Sequence, residues 1–221
     1  MTRVAVVVPT LDEESRLDRC LASIRRQDYP QNKVSILVAD GGSRDATLDI
    51  ARRHGCEIVD AAGLLAEAAK TKALARVDAD VVAMIDADNT IVGDHWLPRA
   101  VDALLAHPDA LGFESYYSLR PEDPALNRYL TGLLQISDPW ARAVAMPLRR
   151  LEISKRGVEV FALPTNGGYP TGANGFLFRR HELEQLGDAP FHEAAFFPEL
   201  MRTRQRTLLK RPDCQVHHDY V

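Results

Sequence analysis

Two acidic side chains follow an apolar run in the segment VVAMIDADNTIV, residues 81–92. Asp86 and Asp88 are two positions apart, and side chains two apart along a β-strand point to the same side. Two carboxylates held that close repel each other unless a cation lies between them or one of them stays protonated. The spacing therefore predicts a metal-binding or acid–base pair, and more than one class of enzyme places Asp-x-Asp at the end of a buried strand.

Two further apolar runs also end in acidic residues, in PTLDEE (9–14) and ADGGSRD (39–45). Ligands of open α/β sheets bind beyond the carboxyl ends of the strands. Taken singly, such an end can be a helix cap or a turn, and Asp45 alone is interpreted as a first-turn residue that suits the helix dipole. Three acidic ends at one sheet edge would concentrate negative charge, which a divalent cation would relieve. Oxygen ligands favour Mg²⁺ or Mn²⁺ over zinc.

Alternating strands and helices position these ends. The predicted strands are 3–9, 34–40, 57–61 and 81–86, and the predicted helices are 14–27, 43–55, 64–77 and 96–107. Continuous apolar strands that alternate with helices indicate an open, mostly parallel, Rossmann-like α/β sheet flanked by helices.

The pattern changes after about residue 118. The predicted elements are then helices over 125–151, split at 137–139, a strand at 157–164, a glycine-rich loop at 165–175, a strand at 176–178, a helix at 196–209 and a last strand into VHHDY (216–220). Neither an internal repeat nor a linker is visible. We therefore predict one domain, 1–221, with a ligand-binding half (1–118) and a second half (119–221).

Composition narrows the class of protein. A formal net charge of -4 without a basic tract argues against a nucleic-acid partner. The three cysteines, Cys20, Cys56 and Cys214, are widely spaced, which favours a reducing compartment over a disulfide framework. Neither a signal peptide nor a run of about 18 apolar residues is visible. We predict a cytoplasmic protein, with contact at the inner face of a membrane left open.

Three motifs together resemble family 2 glycosyltransferases, which have the GT-A fold. They are VVVPTLDEESRLDRCLASIRRQ (6–27), VADGGSRDAT (38–47) and MIDADNTIVGDHWL (84–97), and their order and spacing are similar to those of the family. The later YPTGANGFLFRR (169–180) resembles the acceptor-side loop and strand of the same family. The resemblance implies an inverting, metal-dependent transfer of sugar from a nucleoside-diphosphate sugar, with UDP favoured over GDP.

The resemblance also implies roles for residues around the strand ends. The loop after the first strand would edge the uridine, Asp40 would accept from a base N–H, and one lysine of the third helix would line the pocket. The implied nucleotide-binding residues are Pro9, Thr10, Leu11, Glu13, Asp40, Gly41, Lys72, Asp86 and Ala87, with Lys70 as the alternative lysine.

For the metal, the resemblance implies Mn²⁺ or Mg²⁺ bound by Asp88, Asp86 and His218. The cation would neutralise the leaving diphosphate as a Lewis acid. Adjacent residues of a strand face opposite ways, so only one of His217 and His218 is expected to point into the site.

The acceptor side departs from the family pattern. Many members carry Glu-Asp before the helix that follows the acceptor loop, whereas this chain has HEAAFFPEL at 192–200. Glu193, and after it Glu199, are the candidate general bases, and each is equally a surface residue. Gly172, Asn174 and Trp140 are the candidate contacts to sugar or acceptor. The missing acids also leave open an inactive sugar-nucleotide-binding module.

The region 125–156 carries an apolar stripe at helical spacing beside a basic set of residues. The stripe is Trp140, Val144, Leu148 and Leu151, and the basic residues are Arg142, Arg149, Arg150, Lys155 and Arg156. A helix packed on the sheet with a solvated basic face explains both. The alternative is an interfacial surface for anionic lipid or a lipid-linked acceptor.

A phosphatase of the haloacid-dehalogenase type is the other alternative. Its first motif has the pattern of DADNTIV, with Asp86 as the nucleophile and Asp88 as the acid. That motif normally opens the domain, whereas three strands precede it here, and a later Asp-Asp pair is missing from the sequence.

Overall fold

A computed structural model describes residues 1–128, 149–162, 174–186, 191 and 206–219. These residues form strands β1 (Val4–Thr10), β2 (Val34–Asp40), β3 (Glu57–Asp60), β4 (Val81–Ile85), β5 (Asn89–Ile91), β6 (Ala110–Glu114), β7 (Tyr116–Tyr117), β8 (Arg149–Ile153), β9 (Glu159–Ala162), β10 (Asn174–Arg179), β11 (Thr207–Lys210) and β12 (Gln215–His218). Their α-helices are α1 (Leu17–Arg25), α2 (Thr47–Arg53), α3 (Ala66–Leu74) and α4 (Trp96–Ala106), and 3₁₀ helices lie at Gln31–Lys33 and Arg180–Leu186.

A nine-stranded sheet, in the order β3-β2-β1-β4-β10-β6-β11-β9-β8, organises the described residues. From β3 to β4 all neighbouring strands are parallel. Residues Val4–Val8 of β1 are buried without alternation, as expected for a strand covered by helices on both faces. The four strands and four helices predicted up to residue 107 are all present, so the predicted α/β architecture is confirmed.

Strand β10 runs in the direction opposite to that of the strands beside it. It lies antiparallel between β4 and β6, and the pairing places Asn174 opposite Ile85. Beyond β6 the sheet is mixed, because β11 is parallel to β6 whereas β9 and β8 are antiparallel to their neighbours. Strands from both sides of residue 118 therefore share one sheet, and Asn174 is brought to the end of β4.

A three-stranded sheet, β5-β12-β7, stands at the same end of the molecule. Strand β12 is antiparallel to β5, with His218 opposite Asn89 and His217 opposite Thr90. This pairing returns the C-terminal histidines to the segment that follows Asp86 and Asp88.

Helices cover both faces of the large sheet. Helices α1 and α4 bury Leu21 and Trp96 in one apolar cluster with alternate residues of β1, among them Val6. Helix α3 covers the other face through Ala69 and Ala73. Small alanine side chains let this helix lie close to the strand ends, which matters for the site at those ends.

Gly112 marks a close contact between β6 and β10. A Cβ atom added there would lie 2.5 Å from Phe176 Cζ and 2.6 Å from the carbonyl oxygen of Leu177. Such distances are shorter than any normal van der Waals contact, so this position requires glycine for steric reasons.

The structure corrects several predictions for the second half. Residues 149–151, predicted to be helical, belong to β8, and 207–209, also predicted to be helical, belong to β11. Both are short strands whose conformation is set by pairing with β9. In the first half, strands β5, β6 and β7 were not predicted. Most of the predicted 125–151 helices, together with Trp140, Val144 and Leu148, lie outside the described residues.

Within the described residues, no helix combines the length and the apolar character that crossing a lipid bilayer requires.

Candidate functional site

A cavity of about 380 Å³ opens at the carboxyl ends of β1, β2 and β4. Its size suits a small-molecule ligand. The first turn of α3 and the segment before it form one wall. The residues that line it are Pro9, Thr10, Leu11, Glu13, Ala39, Gly41, Leu64, Leu65, Ala66, Ala69, Lys70, Asp86, Ala87 and Asp88. The structure thus brings together seven of the nine predicted nucleotide-binding residues, the exceptions being Asp40 and Lys72.

Hydrogen bonds join the loop after β1 to the loop after β2 and to the first residue of α2. The backbone N–H of Glu13 donates to Thr47 Oγ1 at 2.7 Å, and the N–H of Asp12 donates to Ser43 Oγ at 2.9 Å. The N–H of Glu14 donates to Asp45 at 3.0 Å. The two loops therefore form one continuous wall of the cavity. Asp45 links the loops and also accepts from the N–H of Thr47, so it is more than the first-turn residue that we predicted.

Asp40 stabilises its own loop. Its carboxylate accepts from the hydroxyl of Ser43 at 2.5 Å and from the backbone N–H groups of Gly42 and Ser43, both at 3.1 Å. Only 5% of Asp40 is exposed, and it is not among the described residues that line the cavity. Both carboxylate oxygens thus already accept hydrogen bonds within the loop. The predicted contact of Asp40 with a nucleotide base stays a prediction.

The lysine in the cavity is Lys70. Its side chain is 4% exposed, and Nζ lies 3.3 Å from Glu67 Oε1 and 3.7 Å from Asp86 Oδ1. Lys72, the predicted residue, is exposed and does not line the cavity. Two residues of an α-helix turn through about 200°, so these side chains lie on nearly opposite faces of α3.

Asp86 lies in the cleft beside the ammonium group of Lys70. Burial raises its pKa, the positive charge of Lys70 opposes that rise, and the negative charge of Asp88 adds to it. Its side chain is still 32% exposed to the cavity, so it can contact a ligand. The two carboxylates are thus close enough to repel each other, although they lie between β4 and β5 and not on one strand as the Asp-x-Asp spacing assumed.

Asp88 is held by two side chains. His218 Nε2 lies 3.0 Å from Asp88 Oδ2, and Asn89 Nδ2 donates to Asp88 Oδ1 at 3.0 Å. The same amide group of Asn89, which is completely buried, donates to Asn174 Oδ1 at 2.8 Å. The predicted acceptor-side residue Asn174 is therefore connected to Asp88 through one intervening side chain.

The two histidines of β12 face opposite sides, as predicted. His217 is buried, with Nε2 3.3 Å from Asp123 Oδ1 and Nδ1 3.3 Å from the carbonyl oxygen of Ser118. Burial lowers the pKa of His217, and the nearby Arg120 lowers it further. His217 is thus used inside the protein, whereas His218 faces Asp88.

These side chains fit a divalent cation in chemical type. Asp86 and Asp88 offer carboxylate oxygens and His218 an imidazole, a set that Mn²⁺ accepts. Burial, and to a smaller extent the neighbouring Asp88, raise the pKa of Asp86, and a bound cation would favour its ionised form. In the present arrangement His218 contacts Asp88 directly, and no group of three or more His, Cys, Asp or Glu side chains within the described ranges is arranged to hold a metal ion. Binding would require that contact to open.

The remaining predicted site residues lie outside the described residues. They are Glu193, Glu199, Gly172 and Trp140. The carbonyl oxygen of Phe191, which is described, accepts from Thr71 Oγ1 at 3.3 Å, and this bond ties Phe191 to α3.

The sequence predicted Lys72 ahead of Lys70 as the lysine of the pocket, and it did not predict the position of Asn89 between Asp88 and Asn174. Burial of Ala69 and Ala73 on the sheet side of α3 rotates Lys70 inward, and a careful helical projection from these alanines would have favoured it. Asn89 directly follows Asp-Ala-Asp, but only the pairing of β10 with β4 reveals its second partner.

Part of the chain is similar in sequence to known proteins. The chain is 28% identical to glycosyltransferase AglE of Haloferax volcanii over 107 residues, 46% of this chain and 35% of that protein. It is 32% identical to succinoglycan biosynthesis protein ExoA of Rhizobium meliloti over 117 residues, 50% of this chain and 35% of that protein. The matches thus span about a third of each of these relatives.

Solved structures share the fold over nearly the whole chain. A mannosyltransferase, PcManGT of Pyrobaculum calidifontis in complex with GDP-Man and Mn²⁺, matches 98% of this chain and 56% of that one, with a TM-score of 0.66 and 22% identity. TarS 1–349 of S. aureus in complex with UDP-GlcNAc matches 97% of this chain and 58% of that one, with a TM-score of 0.64 and 16% identity. These likenesses confirm the predicted GT-A-type fold.

The family model described as Glycosyl transferase family 2 matches residues 5–123, which is more than half of the chain and includes all three acidic strand ends. The loops that build the cavity, the Asp-Ala-Asp segment and the carboxyl ends of β1, β2 and β4 all lie within that match. The chain belongs to glycosyl transferase family 2.

Proposed function

We propose that the protein transfers a sugar from a nucleoside-diphosphate sugar, with UDP as the favoured nucleotide, to an acceptor hydroxyl. The observation that carries the proposal is the cavity in which Lys70, Asp86 and Asp88 converge at the ends of adjacent parallel strands. Family membership and fold argue against the phosphatase alternative, because Asp86 follows the fourth strand of a GT-A-type sheet and does not follow the first strand of a domain.

The chain's own groups supply charge and shape for the donor. Lys70 provides a buried cation, and the loops that carry Thr10 and Gly41 provide a wall for the nucleotide. Asp88, Asp86 and His218 would hold Mn²⁺ or Mg²⁺, which would neutralise the charge that develops on the diphosphate. Complexes of structural relatives with GDP-Man and Mn²⁺ and with UDP-GlcNAc support this choice of ligands.

We propose direct displacement with inversion on the acceptor side. Such a transfer needs a carboxylate within hydrogen-bond reach of the acceptor hydroxyl, and Glu193 and then Glu199 are the candidates. Asn174, linked to Asp88 through Asn89, would orient a hydroxyl near the donor.

The proposal also includes the chemical class of the acceptor and contact with a membrane. A relative from Methanococcus voltae, 40% identical over 50 residues, is named for transfer to dolichyl N-acetyl-glucosaminyl phosphate. We therefore propose a lipid-linked acceptor, reached by peripheral contact at a cytoplasmic membrane face. Strand β8 contributes to this idea because Arg149, Leu151 and Ile153 are exposed. Arg150 contributes less, since it pairs with Glu159 at 2.7 Å.

Calorimetric titration of UDP and GDP, each with and without Mn²⁺, tests the donor site. We expect UDP to bind more tightly than GDP and only with the metal present. Absence of metal-dependent binding for both nucleotides would refute the proposal.

An inactive nucleotide-sugar-binding module is the second candidate, because the expected Glu-Asp is missing at 192–200. It predicts the same titration but no release of UDP from a panel of UDP-sugars, with or without acceptors. Metal-dependent release of UDP decides for the enzyme.

A further inference from the structure

A second cavity lies on the α4 side of the sheet, between α4 and the turn that joins β8 to β9. Its volume is about 400 Å³. It shares no described lining residue with the donor cavity, and three strands separate β4 from β9 in the sheet. It is therefore a separate site, which the proposed donor chemistry does not use.

Four cationic side chains line this second cavity. Two are fixed by one carboxylate, since Arg211 donates to Asp213 through Nε and Nη2, both at 2.8 Å, and Arg99 Nη1 lies 3.3 Å from the same group. The two guanidinium groups are thus held in place beside the cavity by one shared carboxylate.

The other two cations, Lys155 and Arg156, are exposed at the tip of the β8–β9 hairpin. Within the described part of the chain, no carboxylate makes an ion pair with either. Asp102 is the one acidic side chain among the described residues of the lining. Even with Asp213 counted, the cations outnumber the carboxylates by two.

The hairpin turn presents these two residues in a defined geometry. The N–H of Gly157 donates to the carbonyl oxygen of Ser154 at 2.9 Å, which closes a four-residue turn around Lys155 and Arg156. Ser154 and Val158 add bonds in both directions, from Ser154 N–H to Val158 O at 2.8 Å and from Val158 N–H to Ser154 Oγ at 3.1 Å. The backbone that carries the two cations is therefore fixed, and only the side chains must be ordered on binding.

Apolar side chains complete the second cavity. Ala103, Ala106 and Val158 line it, and Val158 is 3% exposed. A cationic rim over an apolar floor suits an anion that carries an organic part better than a bare inorganic ion, because guanidinium groups bind phosphate oxygens and the floor excludes water from the rest.

We propose that this second cavity binds the phosphate group of an organic phosphate, with Lys155, Arg156, Arg99 and Arg211 as its cationic contacts. The same chemistry is offered by a free phosphorylated metabolite and by a phospholipid headgroup. The proposal does not depend on the proposed glycosyl transfer, since it names a ligand and a surface that the donor site does not use.

Calorimetry with glycerol 3-phosphate tests the site. We expect the double variant Lys155→Gln with Arg156→Gln to weaken its binding at least tenfold. The matched control is Arg52→Gln with Arg53→Gln, which removes two exposed arginines from α2 and the same net charge, and it is expected to change binding less than twofold. Equal losses in both double variants, or no binding by the unaltered protein, would overturn the proposal.

A competition experiment separates this site from the donor cavity. Glycerol 3-phosphate is expected to bind unchanged when UDP and Mn²⁺ are saturating, and displacement by UDP would overturn the proposal.

Flotation with phosphatidylcholine vesicles, with and without phosphatidic acid, identifies the source of the phosphate. Vesicle binding that requires phosphatidic acid and is lost in the Lys155/Arg156 variant assigns a headgroup, whereas binding of glycerol 3-phosphate alone assigns a soluble ligand.

Discussion

Lys70 Nζ lies 3.7 Å from Asp86 Oδ1 in a cavity where both side chains meet at the end of β4. The lysine is almost fully buried and comes from α3, whereas the aspartate directly follows β4. The pair places one positive and one negative group beside each other at the floor of the proposed donor site. A diphosphate and a divalent cation would each find a partner of opposite charge there.

Replacement of Lys70 by Met should weaken UDP binding in the presence of Mn²⁺ by about tenfold or more, because a charge-assisted contact is worth roughly 1.5–3 kcal/mol. Lys72→Met is the matched control, since Lys72 lies exposed on the same helix. Calorimetry at fixed Mn²⁺ measures both. If the two variants bind alike, Lys70 has no role in nucleotide binding.

Substitution of Asp88 by Asn should abolish metal-dependent nucleotide binding, because one charged oxygen is lost from the proposed metal site. His218→Ala should weaken Mn²⁺ binding by a smaller factor, since a neutral ligand is removed. Asp94→Asn serves as control, as Asp94 is exposed and pairs with Arg26. Titration of Mn²⁺ into each variant with UDP present provides the comparison. Retained binding by Asp88→Asn would show that this carboxylate is not a ligand.

Gly112→Ala should destabilise the protein by about 1–3 kcal/mol or more, because the new methyl group overlaps both Phe176 and the backbone of β10. Gly55→Ala should cost about 1–2 kcal/mol, since a Cβ there meets nothing within 4 Å but φ is +63°. Urea unfolding gives both values. A smaller loss for Gly112→Ala than for Gly55→Ala would contradict the close approach of β6 and β10.

Cys56 should react slowly with iodoacetamide in the folded protein at pH 8. Burial raises the pKa of its thiol from 9.0 to about 11, which Arg25 only partly offsets, so the reactive thiolate is about a hundredfold scarcer than for an ordinary thiol. The rate should rise roughly tenfold per pH unit up to about pH 11. Peptide mapping by mass spectrometry reports the site, and urea-unfolded protein is the control. A rate at pH 8 equal to that of unfolded protein would contradict the shift.

The sequence by itself determined the framework of the proposed donor site. The apolar runs of β1, β2 and β4 are long and continuous, so their burial and their acidic ends were predictable from local pattern alone. Strict alternation along β12 likewise predicted that one histidine would face Asp88 and the other would not. These features are readable because period and polarity are properties of neighbouring residues.

The tertiary structure alone decided which distant segments meet. Asn89 and Asn174 are 85 positions apart, and their hydrogen bond exists because β10 enters the sheet antiparallel beside β4. Strands β8 and β11 are too short for their local pattern to outweigh a helical one, and pairing with β9 sets their conformation. The choice of Lys70 over Lys72 followed from the rotation at which α3 packs on the sheet. Long-range pairing and packing select among conformations that local sequence leaves close in free energy, and here they determined which side chains surround Asp86 and Asp88.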